Sequence, residues 1–275
     1  MIAFTREVSP SIAHCELTHI ARMPIDLDRA RAQHLAYEAA LASLGCTVRR
    51  LHETPDMPDA VFVQDTALVF DEVAIIARPG ATSRRPETAS VAEALAPVRP
   101  LRFIESPGTL DGGDIVCLGR WVFVGQSART NIEATHQLAE ILMPFGYTVT
   151  VARPTGCLHL QSAATVLLDR PGDRVLLVNP AWIDPGVFGR VDVIGVDPAE
   201  PFAANALRAG DALIYSDQFP RTRSRLEAHG FRVVPVDVSE LAKAEAGVTC
   251  CCLLVPAAVP GPTASYNTLP AHPHP

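Results

Sequence analysis

Two hydrophobic periods alternate along the chain, and the switch between them repeats. Over residues 25–44, Ala30, His34, Leu35, Ala39, Leu41 and Leu44 recur at three- and four-residue spacing, which predicts a helix. Asp26 stands where an N-cap belongs, and Gly45 stands where a helix ends. Residues 46–51 then alternate as a strand does. The same helix-then-strand unit recurs at 91–95 with 101–104, at 131–145 with 147–151, and at 221–229 with 231–236. A fifth copy has a degenerate helix near 185–188 before a strand at 191–196.

Hairpins fill the gaps between these units. The candidates pair 60–70 with 73–77, 114–118 with 121–124, 163–168 with 174–178, and 203–207 with 212–215. Their turns carry Asp71-Glu72, Gly119-Arg120, Pro171-Gly172-Asp173 and Gly210-Asp211, the polar or glycine-bearing links that hairpins use. A period of roughly 40 to 50 residues marks internal repeats. Four hairpins and five crossovers leave one hairpin short. Pairing a strand that carries Cys250 with the N-terminal strand at 2–4 supplies it and closes a ring. The expected fold is α/β, one domain over residues 1–256, with five ββαβ-like repeats around a pseudo-fivefold axis. The stretch 257–275 is rich in proline and small polar residues and reads as a disordered tail, its His272 and His274 falling there by chance.

Composition adds limits. With 275 residues, 48% hydrophobic and 19% charged, the chain has the make-up of an ordinary globular protein. A net charge of −7 weighs against nucleic acid or an anionic membrane as partner, since both demand basic patches. A cationic small molecule suits it better. No leader pattern and no span of membrane length are visible, so the cytoplasm is the expected location. Monomer and homodimer fit equally. Seven cysteines, an odd number without paired ligand spacing, read as reduced thiols rather than a disulfide framework or a zinc site.

Three of these cysteines are adjacent, at Cys250-Cys251-Cys252. Neighbours about 3.8 Å apart make poor disulfide partners. On a strand, Cys250 and Cys252 would share one face, and each could be a small buried hydrophobe. In a closed ring of repeats, however, equivalent strand starts converge on one axis. Those starts hold Asp59 with Gln64-Asp65, Asp111-Gly112-Gly113-Asp114, His159-Leu160-Gln161, Asn205, and Thr249-Cys250. A thiol, an imidazole and carboxylates in reach of one another constitute nucleophilic chemistry. Asp111 and Asp114 could equally cap a turn around the glycine pair, and Arg84 and Arg129 could be solvated residues at helix starts.

The motifs at 59–65, 78–85, 109–114, 124–131, 158–162 and 249–251 resemble, in order, those of the dimethylarginine dimethylaminohydrolase family. That family belongs to the guanidine-modifying superfamily, whose fold is the five-bladed α/β propeller or pentein. The resemblance runs from about Phe4 to Leu254 and implies a nucleophile at Cys250, an acid–base His159, and Asp111 orienting that histidine. It also implies guanidinium and substrate anchors at Asp65 and Asp59, with Arg84 and Arg129 holding an α-carboxylate. Leu17 and Ala244 match backbone contacts to the amino end. Gln64 departs from the family's usual glutamate, which bears on alkyl-group preference. Gln161 replaces an aspartate typical of arginine deiminases and amidinotransferases, which leans toward an N-alkylated guanidine.

The implied activity is hydrolysis of Nω-methylated arginine to citrulline and a methylamine, without metal or organic cofactor. Within the same class the alternative is another guanidino acid, such as free arginine. A different class remains, a non-catalytic ribosome-binding protein of the same fold, for which the cysteine, histidine and aspartates would be idle.

Overall fold

The computed structural model describes residues 1–52 and 54–256. The expected tail at 257–275 lies outside the described residues. The chain opens with β1 (Ile2–Thr5), α1 (Leu27–Ser43) and β2 (Thr47–Arg50). Four repeating units follow. The first is β3 (Ala67–Val69), β4 (Ala74–Ile76), α2 (Thr88–Leu95) and β5 (Leu101–Phe103). The second is β6 (Ile115–Leu118), β7 (Trp121–Gly125), α3 (Ile132–Leu142) and β8 (Thr148–Ala152). The third holds α4 (Leu160–Ala163), β9 (Ala164–Arg170), β10 (Asp173–Val178), a 3-10 turn at Pro185–Phe188, and β11 (Asp192–Gly195). The fourth is β12 (Ala206–Ala209), β13 (Ala212–Ser216), α5 (Pro220–Ala228) and β14 (Arg232–Val236). After α6 (Ser239–Ala242) the chain ends its described course on β15 (Leu253–Val255).

Each unit makes a three-stranded sheet whose first two strands run antiparallel and whose last two run parallel. The geometry follows from the connections: a tight turn suffices for an antiparallel pair, whereas a parallel partner requires a crossover. The fifth sheet is assembled from both ends of the described chain. In it β15 lies antiparallel to β1, and β1 lies parallel to β2, with Ile2 opposite both Val255 and Thr47. The result is the five-bladed α/β propeller that the repeats predict.

Local signals account for the element boundaries. Asp26 accepts a hydrogen bond from Arg29 N at 3.0 Å, and Asn131 accepts one from Ala134 N at 3.0 Å, so both helices start where their caps stand. Gly45, Gly146 and Gly230 each take a left-handed φ, of 83°, 77° and 83°, after a helix. The core is divided into five apolar clusters, each packing blade strands with helices or with the next blade's strands.

Three expectations need correction. Leu35 is 53% exposed, and the buried face of α1 is Ala30, Gln33, His34, Tyr37, Glu38 and Leu41. The extended segment expected from 60 is instead turn up to Thr66, and β3 begins only at Ala67. Cys250 and Cys251 lie in a turn, with β15 starting at Leu253, so strand alternation does not govern the triplet. Burial does: Cys251 and Cys252 are in the core, while Cys250 is half-buried.

Candidate active site

The residues that converge on the axis sit not on strands but in the short turns just before them, Asp65 within a helical turn and Asp111 and His159 at the extended positions that open one. Val63–Thr66 precedes β3, Gly112–Asp114 precedes β6, α4 opens the third unit, and the turn holding Thr249 and Cys250 precedes β15. A single helical turn reverses the backbone sharply enough to aim one side chain back toward the axis. These turns are laced together. Gln64 N donates to the Cys250 carbonyl at 3.2 Å, and Asn205 exchanges hydrogen bonds with Thr249, to its hydroxyl at 2.9 Å and from its N–H at 3.1 Å. Tyr37 of α1 braces the same segment, donating to the Val248 carbonyl at 2.7 Å.

One cavity of about 20 Å³ is lined by Asp59, Asp65, Arg84, Arg129, His159, Ala244 and Cys250, together with Glu16, Phe62, Leu158, Glu245 and Ala246. Eight of the ten residues singled out from the sequence lie in it or touch it: Asp111 stands behind His159, its Oδ2 3.2 Å from Nε2. Leu17 and Gln64 are not among its lining residues. Gln64 faces a separate axial cavity of about 280 Å³, which it lines with Gln161, Thr249 and Cys252. There its Nε2 donates to Gln161 Oε1 at 2.9 Å, and its own Oε1 is buried with no hydrogen-bond partner among the described residues. Phe62 falls inside the motif at 59–65 but was not singled out, and Glu16 and Glu245 carried no motif, their places next to Leu17 and Ala244 being their only signal.

The glycine pair is required by space rather than by turn geometry. A Cβ on Gly113 would stand 2.5 Å from His159 Nδ1, and one on Gly112 would collide with the Gln64 carbonyl. Gly113 N also donates to Asp65 Oδ1 at 3.0 Å. Asp114 does cap, accepting from Leu160 N at 3.0 Å and from the Ser127 hydroxyl at 2.6 Å, so it fixes the start of α4 where His159 stands. Asp111 accepts from Gly80 N at 2.9 Å as well as facing His159.

The electrostatics follow from this packing. Burial works against a charged His159, but Asp65, the hydrogen bond with Asp111 and Asp114 outweigh it and push the imidazole up to about 9. Burial also opposes the Asp111 charge, yet the bond to His159 and the charge of that ring hold its carboxyl below the usual range. Desolvation, followed by Asp65, pushes the Cys250 thiol up to about 11, against the hydrogen bond that Gly247 N donates to Sγ at 3.4 Å. At neutral pH Cys250 is therefore a thiol beside an imidazolium.

The two arginines differ. Arg84 is buried and committed, donating to Asp65 at 2.7 Å, to Glu87 at 3.0 and 3.2 Å, and to the Phe62 carbonyl at 3.1 Å. Among the described residues the Arg129 guanidinium donates only to the Thr18 hydroxyl, at 3.3 Å. Ligand atoms of Asp65, Asp111 and His159 lie within 4.8 Å of one another, a spacing that a metal ion could bridge. Arg84 already fixes a cation on Asp65, and the imidazole carries a proton, so an ion would have to displace both. No helix among the described residues is long and apolar enough to cross a membrane.

No profile of a known protein family matches the chain. Individual proteins do. It is 37% identical over 249 residues to the N(G),N(G)-dimethylarginine dimethylaminohydrolase of Streptomyces coelicolor, covering 90% of this chain and 94% of the other. The solved enzyme of this name from Pseudomonas aeruginosa, a cysteine-to-serine mutant complexed with citrulline, superposes with a TM-score of 0.85 at 33% identity, covering 91% and 97%. A histidine-to-glycine variant of a dimethylarginine dimethylaminohydrolase, as an adduct with S-methyl-L-thiocitrulline, also gives 0.85 at 33% identity, covering 91% and 98%. With five blades, a Cys–His–Asp set at their axis and this similarity over nearly the whole fold, the chain belongs to the dimethylarginine dimethylaminohydrolase family.

Proposed function

We propose that this chain hydrolyses Nω-methylated arginines to citrulline and dimethylamine or methylamine, with Cys250 as nucleophile. One observation carries the reading: Cys250, His159 and Asp65 line one cavity, and Asp111 is bonded to the histidine from behind.

A guanidinium is planar, stays charged at pH 7 and is a poor electrophile, so it must be held by anions. Asp65 is the anion at the cavity floor, fixed by Arg84 and Gly113 N. An arriving guanidinium offsets the carboxylate charge that raises the Cys250 thiol, so substrate favours the thiolate that attacks it. The sulfur adds to the guanidinium carbon. The His159 imidazolium gives its proton to the methylated nitrogen, the carbon–nitrogen bond breaks, and the amine departs from a thiouronium on Cys250. Neutral His159 then takes a proton from water as that water attacks the same carbon. Collapse of the adduct breaks the carbon–sulfur bond and leaves citrulline with the thiolate. Asp111 keeps the ring oriented and stabilises its cation. Arg129, with its largely unspent guanidinium, takes the α-carboxylate, and the committed Arg84 acts through Asp65.

Turnover of asymmetric dimethylarginine, monomethylarginine, arginine and agmatine, compared side by side, tests the assignment. Faster turnover of arginine than of either methylated form sinks it in favour of another guanidino acid. Cys250→Ser abolishes turnover and Cys251→Ala retains it; the reverse pattern would show that the wrong thiol has been chosen.

A further inference from the structure

Residues 16–26 have no regular secondary structure, yet they are pinned at several points around the catalytic cavity. At the far end Lys243 donates to the Pro24 carbonyl at 3.0 Å, and Asp26 N donates to Glu240 at 2.9 Å. Over the cavity, Glu16 N donates to Asp59 at 3.1 and 3.2 Å, and the Ser83 hydroxyl donates to the Glu16 carboxylate at 2.5 Å. The densest attachment comes from Glu245. One carboxylate oxygen accepts from Thr18 N at 2.7 Å, and the other accepts from His19 N at 3.0 Å. Glu245 also lines the cavity itself, and Arg129 reaches the same Thr18 through its hydroxyl.

Two further facts bear on this contact. Glu245 has φ 59°, the one non-glycine residue with positive φ among those described, a conformation that costs a side-chain-bearing residue energy unless its surroundings hold it there. The cavity beneath measures about 20 Å³, room for about one water molecule and far below the ~300 Å³ of a small-molecule pocket. With the strap of residues 16–19 in this position, the cavity is too small for an amino acid.

We infer that Glu245 is a positioning residue that fastens residues 16–19 over bound substrate, so that Leu17 and Thr18 are held against its amino-acid end. The identity of that substrate rests on the proposed function; the fastening does not. A carboxylate suits this role because it accepts two adjacent backbone N–H groups at once, and charge assistance strengthens each bond. Release of both bonds loosens Thr18 and His19, while Glu16 stays held by Asp59 and Ser83, and leaves Cys250, His159 and Asp65 untouched. Alanine keeps the Cβ and hence the backbone cost at φ 59°, so Glu245→Ala removes the fastening, together with the side-chain volume that Glu245 contributes to the cavity wall. Glu245→Gln keeps the size but places an amide nitrogen against one of the two donors, and so removes half of it.

The experiment measures alkylation of Cys250 by iodoacetamide at pH 9 without substrate, resolved by peptide mass spectrometry, with exposed Cys117 as internal reference. Glu245→Ala raises the Cys250 rate at least fivefold with Cys117 unchanged, and Glu245→Gln gives a smaller rise. In parallel, KM for methylated arginine rises about tenfold in Glu245→Ala, with kcat within threefold of the parent. An unchanged Cys250 rate in both variants overturns the inference, as does a raised rate with KM unaltered. Should the parent protein not turn over methylarginines at all, the proposed function fails while the alkylation rates still decide the role of Glu245.

Discussion

Gly113→Ala isolates the positioning of His159 from its chemistry. The new Cβ would lie 2.5 Å from Nδ1, 2.9 Å from Cγ and 3.0 Å from Asp65 Oδ1, and ordinary contact begins at 3.4 Å. Backbone strain is not involved, because Gly113 is not among the positive-φ glycines. The ring has to retreat by roughly 1 Å, and a displacement of that size costs about 100-fold in rate. If the backbone yields instead, Gly113 N leaves Asp65 Oδ1, a charged hydrogen bond worth about 1.5–3 kcal/mol. Either way the contacts that raise His159 to about 9 weaken, and its pKa falls toward the ordinary histidine value. The assay is kcat for monomethylarginine, alongside NMR titration of the histidine ring and chemical denaturation. Expected are a drop of about 100-fold in kcat, a lowered His159 titration and a stability loss of about 1–3 kcal/mol. A variant within threefold of the parent in kcat, with His159 still titrating near 9, would refute the reasoning.

The other predictions separate groups that look alike in sequence. Arg84→Ala leaves Asp65 and Glu87 buried without their cation and should cost about 3–5 kcal/mol in denaturation, whereas Arg129→Ala leaves stability close to the parent and raises KM for α-amino acids over guanidines lacking a carboxylate. Equal stability losses would contradict that division. Gln64→Glu sets a carboxylate against Gln161 Oε1 in place of an N–H donor, so it should lower stability by about 1–3 kcal/mol, and adding Gln161→Lys should restore it; a single variant as stable as the parent counts against this account. In the free enzyme, attack needs the thiolate of a group near 11 beside the cation of one near 9, so kcat/KM should climb to a maximum near pH 10, and a maximum near 7 would contradict the order of the two groups. For stability, His159 binds its proton more tightly folded than unfolded. Its contribution is complete below the unfolded value near 6.5 and disappears as pH rises through about 9, a slope that His159→Ala should remove from denaturation midpoints.

The fold was legible because its signals are local and repeated. Capping at Asp26 and Asn131, stops at Gly45, Gly146 and Gly230, and the period itself were enough to place five blades and to join the first strand to the last. Strand starts were less legible. Val63 and Gln64 read as extended, but the segment takes a helical turn that points Asp65 to the catalytic cavity, and that turn is held by a long-range bond to Cys250. In the site, motif position placed Cys250, His159, Asp111 and Asp65. It did not reveal that Arg84 is spent on Asp65 and Glu87 while Arg129 is not, since the difference lies in partners distant in sequence. Glu245 was invisible for the same reason: its partners are at Thr18 and His19, more than 220 positions away.

Sheet closure by β15 and β1 has a kinetic meaning. Cys250 is separated from β15 by only Cys251 and Cys252, and Val255 pairs with Ile2. The proposed nucleophile is therefore held in place only once the most sequence-distant strands have met, the step that loop-closure entropy makes slowest. A partly folded chain with four blades formed would carry His159 and Asp111 already seated and its attacking sulfur adrift. Recovery of activity during refolding should thus lag behind the return of most secondary structure, and enzymatic turnover becomes a clock for the last contact the ring makes.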